Sequence, residues 1–150
     1  MIADGGLAHV LVVEDEELDT ERFVRCLEKR GVTVTTVNRA YEAVSYLKDE
    51  SWAASGLRLV LLDWKLTGDP RTVLRTVRES PRLRLTPVVV LSRSRADVDV
   101  RAALGAGASV FVSKPHDHYE FERRLDTIFD LWLTMAEIPT HCQRPSDDPR

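Results

Sequence analysis

Several apolar runs in this 150-residue chain end on side chains that could act together. In LVLLDWKLTGD at residues 59–69, four apolar residues stop at Asp63. HVLVVED at 9–15 ends on the acid pair Glu14 and Asp15, VVVLS at 88–92 on the hydroxyl of Ser92, and SVFVSKP at 109–115 on Lys114 and Pro115. Carboxylates brought together repel, and each resists ionising beside the others unless a cation intervenes. Oxygen-only ligands with room for water suit Mg2+, which takes one or two carboxylates and keeps several waters. A lysine would add fixed positive charge, and a serine could donate or accept a hydrogen bond. An aspartate flanked by a metal ion and a lysine is a good phosphoryl acceptor: its carboxylate is the nucleophile, and the cations offset charge on the transferred oxygens.

The elements that must position these groups follow from the pattern between them. Apolar runs this short suit strands covered on both faces rather than helices. A polar residue where such a strand stops stands at the carboxyl edge of the sheet, where open α/β sheets collect ligands. Acidic residues 14–17 suit the positive end of a following helix, in which Leu18, Phe23, Val24 and Leu27 fall near helical spacing and which Gly31 can stop. Val and Thr alternate over 32–37 as in a strand. Ala40, Ala43, Val44 and Leu47 share a helical face, and 49–56 reads as a loop. Pro70 suits a first helical turn, Val73, Leu74 and Val77 supply that helix's apolar face, and Ser80-Pro81 ends it. Residues 96–104 read as a short helix, and 116–138 as a long one carrying Phe121, Leu125, Ile128, Phe129, Trp132 and Met135. Five strands alternating with five helices predict an α/β fold: a doubly wound five-stranded parallel sheet with right-handed crossovers and an extended last helix. The expected layout is a flexible lead at 1–7, one domain at 8–138 and a polar, disordered tail at 139–150.

A net charge of −3 gives no general pull toward nucleic acid or membrane, and the short basic clusters at 82–84 and 93–95 lack interleaved aromatics. No apolar run approaches the length of a membrane span, and residues 1–9 lack a signal core, so a cytoplasmic protein is expected. Cys26 and Cys142 stand far apart in sequence and form no CxxC, which argues against a disulfide or metal framework. His9, His116, His118 and His141 show no ligand spacing and read as surface or loop residues.

As a set, these motifs resemble a response-regulator receiver domain of two-component signalling, a flavodoxin-like fold. Asp15, Asp63, Ser92 and Lys114 stand 48, 29 and 22 residues apart in turn, close to the spacing of that family. The resemblance implies that Asp63 is phosphorylated by a histidine kinase. Asp15, Asp63 and the backbone carbonyl of Lys65 would bind Mg2+ directly, with Glu14 holding it through water. Lys114 would pair with the phosphoryl group, Ser92 would bond one of its oxygens in the active state, and Phe111 would change rotamer with it. The last helix, with FDLWL at 129–133, more narrowly resembles single-domain regulators that partner bacterial phytochrome kinases. It implies a signalling switch rather than an enzyme.

The chain departs from the family's pattern in three places. Thr67 stands where proline is usual, the loop over 65–71 is one residue shorter and lacks an Asp-Gly end, and bulky Arg93 replaces a small residue after the switch hydroxyl. Arg93 would either hinder access to Asp63 or contact the phosphoryl group. Pro115 after Lys114 suits a cis peptide bond. Phe129, Leu131, Trp132, Leu133 and Met135 exceed what one core stripe needs, so Phe129, Trp132, Leu133 and Met135 predict a partner surface, most simply a symmetric homodimer anchored by Trp132. Two other functions stay open: a pseudo-receiver acting as a constitutive interaction module without phosphorylation, and a small phosphohydrolase. The second usually carries a DxD pair, and here the motif is Asp63-Trp64-Lys65.

Overall fold

The computed structural model describes residues 8–50, 52–53 and 56–139. The expected lead at 1–7 and all but the first residue of the expected tail lie outside them, as do His141 and Cys142. The described chain alternates β1 (His9–Val13), α1 (Glu17–Glu28), β2 (Thr33–Val37), α2 (Ala40–Asp49), β3 (Leu57–Asp63), α3 (Pro70–Glu79), β4 (Val88–Ser92), α4 (Asp97–Gly105), β5 (Val110–Ser113) and α5 (His118–Phe129). All strand pairs are parallel, in the order β2-β1-β3-β4-β5. This is the doubly wound α/β sheet that the alternation predicts.

The three apolar runs form the centre of the sheet because helices cover both its faces. On one face Leu11, Val13, Val60, Leu62, Val88 and Val90 pack under Ala43 and Leu47 of α2 and Val73, Leu74 and Val77 of α3. On the other Val10, Val12, Leu59, Leu61, Val89 and Leu91 pack under Phe23 and Leu27 of α1 and Phe121, Leu125 and Phe129 of α5. The threonine-rich run became the half-exposed edge strand β2, where hydroxyls can face water.

The structure corrects several readings at the level of elements. Leu18 is exposed, and Asp19 takes the inward place in its turn, above Phe23, Cys26 and Leu27. His9 is a buried strand residue, with Nε2 within 2.7 Å of Thr35 Oγ1 and 3.1 Å of Tyr46 Oη. The last helix does not run on to 138. After Phe129 the turns widen into a π-helical segment, Asp130–Met135, in which the N–H of Ala136 reaches back to the carbonyl of Leu131. Phe129 is therefore not a surface residue: it is fully buried in the α1–α5 core, with Arg30 over its ring. Trp132 and Leu133 pack against the rim of that core, whereas Leu131 and Met135 are exposed. Finally, no cis peptide bond occurs among the described residues, so the bond into Pro115 is trans. Within the expected loop, Trp52 is a core residue whose indole N–H donates to the carbonyl of Leu47.

Candidate functional site

Parallel register brings the strand ends to one edge. Val13 lies opposite Leu62 and Val37, Asp63 opposite Leu91, and Ser92 opposite Ser113. Glu14 and Lys114 each continue their strand by one backbone bond, to the carbonyls of Val37 and Ser92. The chain turns from β1 outward to β2 but crosses to β3 on the other side, so Asp15 and Asp63 flank the point where strand order reverses. That crevice is the usual ligand place of such sheets.

Carboxylate oxygens of Glu14, Asp15 and Asp63 all lie within 4.8 Å of one another. Glu14 and Asp63 are buried and Asp15 is exposed. Burial, with the neighbouring Asp63 carboxylate, pushes the Glu14 carboxyl up to about 8, in spite of Lys114. Negative charge is thus under-compensated here, and an all-oxygen donor set of this kind fits a hard divalent cation. Lys114 Nζ is buried at 2.5 Å from Glu14 Oε1, 3.0 Å from Asp19 Oδ2 and 3.6 Å from Asp63 Oδ1. Burial alone would lower its pKa, but Glu14 and Asp63 together raise it, so it stays an ammonium.

The loop after Asp63 is held at both ends. Asp63 Oδ1 accepts the N–H of Lys65, and Asp15 Oδ2 accepts both the N–H and the hydroxyl of Thr67. A proline in place of Thr67 could supply neither donor. Gly68 turns the loop at φ +95°, close against Ala40, and the carbonyl of Thr67 takes the N–H of Ala40. Lys65 Nζ pairs with Asp99 of α4 at 3.1 Å.

Ser92 is fully buried at the end of β4, its Oγ accepting the N–H of Ser94. Phe111 is half-buried on β5, opposite Val90 and against the α2–α3 core. Arg93 stays exposed to solvent, yet its guanidinium grips Asp19 at 2.7 and 3.1 Å. Asp19 is the residue that apolar spacing missed. It sits four residues before Phe23, on the buried stripe of α1, and a carboxylate there needs cations beside it. Burial would raise its pKa, but hydrogen bonds from Arg93 and Lys114 outweigh that and hold it at about 2.

Residues 10–126 match the model of the response regulator receiver domain. The chain belongs to that family. This receiver domain is 33% identical over 134 residues to the probable methanogenesis regulatory protein FilR2 of Methanothrix harundinacea, covering 87% of this chain and 86% of that protein. It is also 33% identical over 135 residues to the sensory/regulatory protein RpfC of Xanthomonas campestris, of which it spans 17%. Among solved structures it is similar to the phosphorylated cyanobacterial phytochrome response regulator RcpA, with a TM-score of 0.82 and 28% identity over 89% of this chain and 99% of that one. The Mn2+-bound response regulator Rcp1 follows with a TM-score of 0.78 and 25% identity over 87% and 98%. Receiver domains are signalling modules of phosphorylation-type pathways. Among the described residues no helix is long and apolar enough to cross a membrane.

Proposed function

We propose that this receiver domain accepts a phosphoryl group from a histidine kinase on Asp63, as a stand-alone regulator in the cytoplasm, and so changes the surface its partners meet. The observation that carries this reading is the convergence of Glu14, Asp15 and Asp63 with the Lys114 ammonium 3.6 Å from Asp63. Asp15, Asp63 and the Lys65 carbonyl, with Glu14 through a water, would hold Mg2+, which when bound offsets charge on the transferred oxygens. The donor is a phosphohistidine, and similarity to the phytochrome response regulator RcpA favours a phytochrome-type kinase.

The Asp63 carboxylate, steadied by the Lys65 N–H, attacks phosphorus. The phosphorus–nitrogen bond breaks, its electron pair stays on the imidazole nitrogen, which takes up a proton, and a phosphorus–oxygen bond forms on Asp63. Lys114 meets charge on the phosphoryl oxygens. Ser92 moves to bond one of them, and Phe111 changes rotamer with it. Attack by water later regenerates the carboxylate and releases inorganic phosphate. The exposed Leu131 and Met135, beside Trp132 and Leu133, support a homodimer through the segment after α5.

Incubation with acetyl phosphate, or with beryllofluoride, in the presence of Mg2+ tests the reading. Wild type forms the adduct and Asp63→Asn does not. Absence of any adduct in wild type would overturn this reading and favour the constitutive interaction module.

A further inference from the structure

Asp19 lies outside the set of groups that marks the family, yet its carboxylate is completely buried and shared among three cations. Oδ2 accepts from Arg93 at 2.7 Å and from Lys114 at 3.0 Å; Oδ1 accepts from Arg22 at 2.9 Å and from Arg93 at 3.1 Å. Arg93 therefore makes a two-pronged, charge-assisted pair, the strong form of this contact. Lys114 is hydrogen-bonded to Asp19 and Glu14, while Asp63 stands beyond hydrogen-bond reach at 3.6 Å. Lys114, the cation beside Asp63, is thus engaged elsewhere, and Arg93 shares the carboxylate that engages it.

We propose that Asp19 is a positioning residue that withholds Lys114 from Asp63, and so sets how tightly the site holds a phosphoryl group. The proposal rests on Asp63 being the phosphoryl acceptor. A buried negative charge within 3.0 Å of Lys114 opposes an incoming anion through space and competes for the same ammonium. Such a charge acts through a low effective dielectric, so its removal is felt at Asp63. Arg93 tempers it: each hydrogen bond that Arg93 supplies to Asp19 is one that Asp19 need not take from Lys114. The two residues therefore act in opposite directions on one amine.

The test is beryllofluoride titration at saturating Mg2+, followed by tryptophan fluorescence, since Trp64 adjoins Asp63. Asp19→Asn keeps the shape and removes the charge. It binds beryllofluoride about tenfold more tightly than wild type and binds Mg2+ alone severalfold more weakly. Arg93→Ala leaves Asp19 leaning on Lys114 and binds beryllofluoride about tenfold more weakly. A purely structural role would not produce opposite signs. Equal or weaker binding by Asp19→Asn overturns the proposal. Should Asp19→Asn lack a cooperative melt, Arg93→Ala decides alone, and unchanged or tighter binding there overturns it. If wild type takes no beryllofluoride, the phosphoryl-acceptor reading falls and this one with it; if wild type binds and the variants fail to diverge, only this one falls.

Discussion

At the residue scale, Glu14 makes the crowding of carboxylates measurable. An unfolded glutamate ionises near 4.5, whereas burial and Asp63 hold the native carboxyl at about 8. Between those values the native chain keeps a proton that the unfolded chain has lost. The contribution is therefore complete below 4.5 and is lost as pH rises through 8. His9, lowered by burial from 6.5, acts with the opposite sign at lower pH, so the clean window is about pH 7 to 8. Without divalent metal, the unfolding free energy from urea titration should fall across that window, by at most ~1.4 kcal/mol per pH unit. Glu14→Gln should remove the slope, and a flat wild-type profile would contradict the charge assignment. Mg2+ requires the ionised carboxylate, so it should stabilise the protein more at the upper end of the window than at the lower. Asp63, Ser92 and Lys114 were legible because each closes an apolar run. Asp19 was not, because a periodicity count over apolar residues passes over a carboxylate on the buried stripe, and the cations that make its burial tolerable come from Arg93 and Lys114, far along the chain.

At the scale of elements, the strands were read well because runs such as VLVV and VVVL suit only a sheet covered on both faces. Helix ends were harder: the change to π-helical turns after Phe129 leaves no mark on three-and-four spacing, so Phe129 and Met135 looked equivalent. Phe129→Ala should cost about 3–5 kcal/mol of unfolding free energy, and Met135→Ala less than about 0.5 kcal/mol. Equal losses would mean that α5 continues as a regular helix. The loop between β3 and α3 gives a second contrast. Gly68 has φ +95°, and an added Cβ would come to 3.0 Å from the Cβ of Ala40. Gly68→Ala should therefore lower stability by about 2 kcal/mol, read as a shifted urea midpoint at constant slope. It should also weaken Mg2+ binding, because the same turn presents Thr67 to Asp15.

At the scale of the molecule, alternation of strands and helices implied a parallel sheet, but no local pattern says that β3 lies beside β1 or that Arg93 reaches α1. Those neighbours come from the crossovers. The surplus of apolar residues near the end of the described chain is likewise divided only by three-dimensional packing. Phe129 belongs to the core, Trp132 and Leu133 are half covered by it, and Leu131 and Met135 keep 45% and 65% of their surface in water. Two large apolar side chains four residues apart, flanked by a half-buried tryptophan, form a patch that a second copy could cover by two-fold symmetry. Sedimentation equilibrium on the order of 10 μM should give the mass of a dimer for wild type. Leu131→Glu combined with Met135→Glu should give a monomer, because closing the interface would bury unpaired carboxylates. Beryllofluoride should still bind that variant, since neither residue contributes to the cluster around Asp63. A wild-type monomer at this concentration would leave the segment after α5 without a role in self-association.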